Sequence, residues 1–111
     1  MEQITIEKNM REAVNKIEEI GGLYAEAKGL SYQFQKMREV ILSREMSSLE
    51  GSMASREMYA KSTLVYAKHL EATAKCIENE TKLRAYYEKW KAQFEACRSL
   101  LSLEKSKSKI V

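Results

Sequence analysis

The chain has 111 residues, no proline and only four glycines, with charged and hydrophobic fractions of 32% and 44% and a net charge of +3. That length allows one small domain and excludes most multidomain enzymes, and the composition is that of a helical protein. All sixteen acidic residues are glutamates, which suit helix interiors better than aspartate because aspartate competes for backbone hydrogen bonds at caps and turns; a β-sandwich or a βαβ fold is disfavoured.

The opening residues MEQITIEKNM lack a basic segment followed by an apolar run, so no secretory signal is expected. From Ile6 onward apolar residues recur at three-four spacing through Met10, Ala13, Ile17, Ile20, Tyr24 and Ala27 to Phe34 and Ile41, interrupted at Ser31 and Arg38. Leu23, Leu30 and Met37 lie beside this stripe and widen it, as expected for a helix that packs on more than one neighbour. The pattern predicts one helix over about 7–46. Gly21 and Gly22 each cost about 1 kcal/mol in a helix interior, yet the stripe keeps its phase through them, so one helix is preferred, with the pair as a candidate kink and a true break as the less favoured alternative. Gly22, Ala25 and Gly29 leave a shallow strip for another helix, although scattered small residues are more often local filler.

Residues 47–52 gather serines and a glycine between two periodic regions and form the expected turn. Ser52 or Ser55 can cap the next helix, because a serine oxygen accepts from an unpaired amide of the first turn. Beyond Met53 there is neither proline nor glycine, and a second helix is expected over about 53–104. In its back half Leu83, Tyr87, Trp90, Phe94, Cys97 and Leu101 form one seam. In its front half the same register is mixed (Tyr66, His69, Thr73, Cys76, Glu80), and a second stripe of Thr63, Ala67, Leu70, Ala74 and Ile77 appears on an adjacent face. Either the helix breaks near residues 78–81, or the front half is covered on two sides because it also meets a second subunit. The latter is preferred, because Asn79 alone is a weak breaker.

The fold expected is therefore all-α: an antiparallel hairpin of two long helices occupying residues 1–104 as a single domain, followed by a flexible basic tail over 105–111. One such pair cannot cover both its apolar seams, so a homodimer with a four-helix bundle at its centre is expected. The candidate oligomer or partner interface comprises Tyr66, Leu70, Ile77, Leu83, Tyr87, Trp90 and Phe94.

Charge adds a second candidate surface. Lys61, Lys68, Lys75, Lys82 and Lys89 recur every seven residues, and Lys105, Lys107 and Lys109 give the tail the whole of the chain's excess charge. Such a strip can follow a phosphate backbone. The plainer reading is a solvated helix face, since Glu57, Glu71, Glu78 and Glu88 stand three or four residues from individual lysines. Nucleic acid is the alternative partner that this strip and tail offer.

Catalytic constellations are hard to find. His69 is the only histidine, which falls short of the two Glu-x-x-His pairs of a di-iron bundle, and with two cysteines it falls short of a zinc site within one chain. His69 and Cys76 are two turns apart, about 10 Å on one helix, too far for a nucleophile-base pair. Gly21-Gly22 lacks the lysine and spacing of a phosphate loop. Cys76 and Cys97 would stand about 30 Å apart on a continuous helix, so buried free thiols are expected, as suits a reducing cytosol. No cofactor and no metal is expected. Trp90, with Tyr86, Tyr87 and Phe94, reads as core before it reads as a base-stacking platform. No stretch approaches the roughly 20 apolar residues that span a bilayer, and no membrane partner is expected.

Between residues 50 and 99 the chain carries Glu50, Gly51, Ser52, Arg56, Glu57, Tyr66, His69 and Leu70, then Leu83, Arg84, Trp90, Glu95 and Arg98. In this half it resembles a group of small helical proteins encoded by bacteriophages and prophages, often among early genes for DNA recombination and replication. The resemblance implies a phage accessory protein without a known reaction, working in the cytoplasm of a bacterial host. A secretion substrate of the WXG type is similar in size, but the turn here has no tryptophan. The expected function is a non-catalytic oligomeric protein that binds a protein partner in DNA metabolism; direct DNA binding and a phage assembly chaperone are the alternatives.

Overall fold

The computed structural model describes residues 2–110, and the side chains of residues 2–107. The described residues are all-helical: α1 spans Gln3–Ser47, α2 Met53–Lys61 and α3 Leu64–Ile110, with no strand among them.

Helix α1 runs unbroken through Gly21 and Gly22. Ile17, Ile20 and Tyr24 face inward in one phase on either side of the pair, so tertiary burial supports the helix where intrinsic propensity does not. Gly21 also has a steric role. A Cβ there would stand 3.2 Å from Cε2 of Tyr87, so the missing side chain lets that ring lie against the backbone of α1.

The turn after α1 is built from local hydrogen bonds. Ser47 Oγ donates to the Arg44 carbonyl at 2.8 Å, and Leu49 N–H donates to the Met46 carbonyl at 3.1 Å. Gly51 then adopts φ +111°, a conformation that a side chain would strain. Ser52 caps α2 by accepting from the Ser55 amide at 3.1 Å, which satisfies one of the first-turn donors.

The second helix expected over 53–104 is in fact two helices, divided at Ser62 and Thr63. Ser62 Oγ donates to the Tyr59 carbonyl at 2.6 Å and Thr63 Oγ1 to the Ala60 carbonyl at 2.8 Å, closing the end of α2. Thr63 Oγ1 also accepts from the Tyr66 amide at 3.2 Å and so caps α3. Serine and threonine hydroxyls compete with the backbone for helix hydrogen bonds, and no proline or glycine is needed for the break. Residues 78–81, the alternative breakpoint, lie inside α3, where Thr81 Oγ1 bonds back to the Ile77 carbonyl at 2.8 Å. The tail expected to be flexible is helical through Ile110. Nothing in it breaks a helix, and Lys105 and Lys107 near the C-terminus suit the negative end of the dipole.

The helices form two compact units, one of Met1–Ala25 with Lys82–Val111 and one of Glu26–Thr81. In each, a segment of α1 packs antiparallel on a segment of α3. In the first unit Tyr24 meets Tyr87 and Met10 and Val14 border Phe94. In the second Leu42 clusters with Ala60 and Tyr66, and Phe34 stacks on His69. Positions fall along α1 as they rise along α3.

The inward stripe of α1 follows the three-four reading from Ile6 to Ile41, with Arg38 alone exposed. On α3 one register faces inward throughout. Tyr66 and His69 are buried, Thr73, Cys76 and Glu80 half-buried, and Leu83, Tyr87, Trp90, Phe94, Cys97 and Leu101 continue the same face. The mixed front register is thus the one that meets α1, and Ala67, Leu70, Ala74 and Ile77 are left exposed. Both cysteines are free thiols.

Candidate interaction surfaces

In the first unit the seam is aromatic. Tyr24 and Tyr87 pack with ring centroids 5.7 Å apart, and Arg84 Nε donates to the Tyr24 hydroxyl at 3.3 Å. Lys91 Nζ lies 5.2 Å from the Tyr87 ring centroid and Lys89 Nζ 5.5 Å from that of Trp90, so cations cover the outer side of these rings. Leu83, Tyr87, Trp90 and Phe94, expected at a partner interface, are half-buried on the face turned toward α1. Helical periodicity marks a residue as belonging to a buried face and does not say which helix buries it.

In the second unit the seam is polar at its centre. His69 is buried and its Nε2 lies 2.8 Å from the Phe34 carbonyl. A carbonyl oxygen only accepts, so the proton of this bond sits on Nε2. Thr73 Oγ1 therefore directs its own proton to the His69 carbonyl, at 2.8 Å. The His69 and Phe34 rings are stacked, 5° from parallel. On α1, Ser31 is 1% exposed and its hydroxyl has no hydrogen-bond partner. Tyr66, also expected at an interface, is buried against Leu42 and Ala60.

Leu70 and Ile77 are placed differently from the other five candidate interface residues. They are 42% and 41% exposed, and with Ala74 they form one wall of a groove of about 560 Å³ whose other wall is α1. Tyr32, Lys36 and Arg38 stand on the α1 side. Lys36 Nζ lies 5.3 Å from the Tyr32 ring centroid, and Arg38 pairs with Glu39 at 3.8 Å. This wall lies outside the stripes that periodicity marks. Tyr32 and Lys36 stand four residues apart just outside the inward stripe, a spacing that places them on one flank of α1.

No family model matches this chain, and neither curated proteins nor solved structures show significant similarity to it.

Two lysines of the ladder and one of the tail pair with neighbouring carboxylates. Lys61 pairs with Glu57 at 2.9 Å, Lys75 with Glu71 at 3.4 Å and Lys107 with Glu104 at 3.7 Å. The hydrogen bond and the charge of Glu57 hold the Lys61 ammonium above its ordinary pKa. Lys61 also belongs to α2, so the break at Ser62 and Thr63 separates it from the rest of the ladder on α3. Lys82 has an interaction of its own, Lys89 lies over Trp90, and Lys68 and Lys105 are exposed. The side chain of Lys109 lies outside the described residues.

A third exposed region surrounds α2, where Met53, Met58, Tyr59, Leu64 and Val65 are all more than half exposed. Only Ala60 of α2 is buried. Among the described residues no helix is long and apolar enough to cross a membrane.

Proposed function

We propose that this chain is a non-catalytic, self-associating helical protein that acts by holding a protein partner, as an accessory factor of phage DNA recombination or replication in the bacterial cytoplasm. The observation that carries the binding role is the distribution of apolar residues in the second unit. Leu70, Ala74 and Ile77 face outward while the seam beneath them is occupied by His69, Thr73 and Ser31. On the other helix Leu30 and Met37, one heptad apart, are also exposed. Apolar residues at helical spacing on an outer face are the pattern by which one helix pair receives another. Two hairpins joined in this way give a homodimer with a four-helix bundle at its centre.

Sedimentation of the whole chain over a range of concentrations tests the self-association. A reversible monomer-dimer equilibrium at micromolar concentrations is expected, and a monomer throughout argues against it. Titration of labelled single- and double-stranded DNA at low and high salt tests the competing assignment to the lysines. Binding that weakens steeply with salt would replace a protein partner with DNA. The phage setting is checked by the genes that flank this one.

A further inference from the structure

We propose that the joint at Ser62 and Thr63 is a conformational switch. Bent, it holds Met58 and Tyr59 out in solvent; straightened, it joins α2 to α3 as one helix that turns both residues onto α1. The bend is held by two hydroxyls. Ser62 Oγ donates to the Tyr59 carbonyl, and Thr63 Oγ1 donates to the Ala60 carbonyl and accepts from the Tyr66 amide. Neither glycine nor a positive φ is used there, and Ser62 has φ −89° and ψ −4°, a modest rotation from the helical values of about −63° and −42°. The bent form buries only Ala60 of α2 and leaves Met58 and Tyr59 75% and 62% exposed.

Straightening exchanges hydrogen bonds without orphaning the backbone. The Tyr66 amide, bent onto Thr63 Oγ1, passes to the Ser62 carbonyl. The amides of Leu64 and Val65, first-turn donors of α3 with no preceding turn to bond, gain the carbonyls of Ala60 and Lys61. The side chains also fall into register. At about 100° per residue, Tyr59 comes within about 20° of Tyr66 seven residues on, and Met58 within about 20° of His69 eleven residues on. Tyr66 and His69 are both buried and pack on Leu42 and Phe34 of α1. In the straight form Tyr59 therefore meets α1 beyond Leu42, toward the half-buried Met46. Met53, nine residues before Ser62, stays on the opposite side. Burial of Ala60 is given up and two larger apolar side chains are covered, so the joint sets how much apolar surface α2 presents.

The test is amide hydrogen exchange by NMR on the full chain, with peroxide oxidation of Met58 and Met53 followed by mass spectrometry. Ser62→Ala combined with Thr63→Ala removes the hydroxyls that hold the bend and favours the continuous helix. In this double variant the Leu64 and Val65 amides are expected to exchange at least about fivefold more slowly than in the wild type. Met58 should oxidise more slowly as well, with Met53 unchanged. Adding Leu64→Pro, which suits the first position of α3 but not a helix interior, should return Val65 and Met58 to their wild-type rates. Leu64 and Val65 amides that exchange as fast as in the wild type overturn the switch. Protection that survives Leu64→Pro overturns the continuous helix as its source. Protected amides beside an unchanged Met58 rate overturn the placement of that residue on α1. If the double variant loses its far-UV circular dichroism signal, Thr63→Val, which keeps the shape of the side chain and removes only its hydroxyl, reads the same amides and is decided by the same outcomes.

Discussion

In the unit of Met1–Ala25 with Lys82–Val111, α3 turns Tyr87, Trp90 and Phe94 toward α1, whereas in Glu26–Thr81 the same helix in the same register turns His69, Thr73 and Glu80 inward and leaves Leu70 and Ile77 outside. The two stretches are continuous in backbone and similar in composition, yet they use their apolar residues for different ends. Where the seam is aromatic, the rings serve the chain's own packing, and lysines lie over Tyr87 and Trp90 from outside. Where the seam is polar, it is completed by specific hydrogen bonds such as that from His69 to the Phe34 carbonyl. Apolar area is then left over for the surface. A buried polar layer contributes less to stability than a packed aromatic one, but its hydrogen bonds tolerate only one alignment of the two helices.

This contrast is most sharply broken by truncation. Trp90→Ala should lower unfolding free energy by about 3 kcal/mol in urea denaturation. Thr73→Ala in the other seam should cost less than about 1 kcal/mol, because its hydroxyl bonds back to its own helix. Equal losses would show that the two seams do not differ. Thr63→Ala should cost about 1 kcal/mol by removing the cap of α3, with Thr63→Ser retaining most of it; thermal melts followed at 222 nm read this. Ser31→Ala is expected to stabilise by about 1 kcal/mol, since it deletes a buried hydroxyl that has no partner. A loss there would reveal that the hydroxyl is bonded after all.

The glycines of the first unit separate more finely. Gly22 has nothing within 4 Å of an added Cβ, so Gly22→Ala should gain up to about 1 kcal/mol from helix propensity alone. Gly21→Ala should gain distinctly less, because its Cβ presses on Tyr87 at 3.2 Å; side-by-side melts of the two variants decide. Smallest of all, Lys75→Gln should stay within about 0.5 kcal/mol, as expected for an exposed pair, and a larger loss would mean the ladder does more than solvate a helix face.

Much of this architecture is readable without coordinates. The absence of proline, the glutamate-rich composition and the stripe from Ile6 to Ile41 point to long helices, and Gly51 beside serines points to the turn. The division of the second helix at Ser62 and Thr63 is harder to read. Those residues also occur inside helices, and only their side-chain bonds to Tyr59, Ala60 and Tyr66 turn them into a break. The inward face of α3 was legible as a stripe. Periodicity grouped Tyr66, Leu83, Tyr87, Trp90 and Phe94 correctly as one face, but it could not say that α1 of the same chain covers that face.

What residue order alone determined is therefore helical content, the position of the turn and the phase of each stripe, because these depend on local propensity and on spacing along one helix. Which stripe faces inward was decided by tertiary structure. In the front half of α3 two faces are available, and within the second unit α1 takes the one whose His69 stacks on Phe34 and bonds its carbonyl and whose Tyr66 packs on Leu42, which leaves Leu70 and Ile77 outside. Spacing along one helix marks both faces, whereas only the contacts of a second helix choose between them.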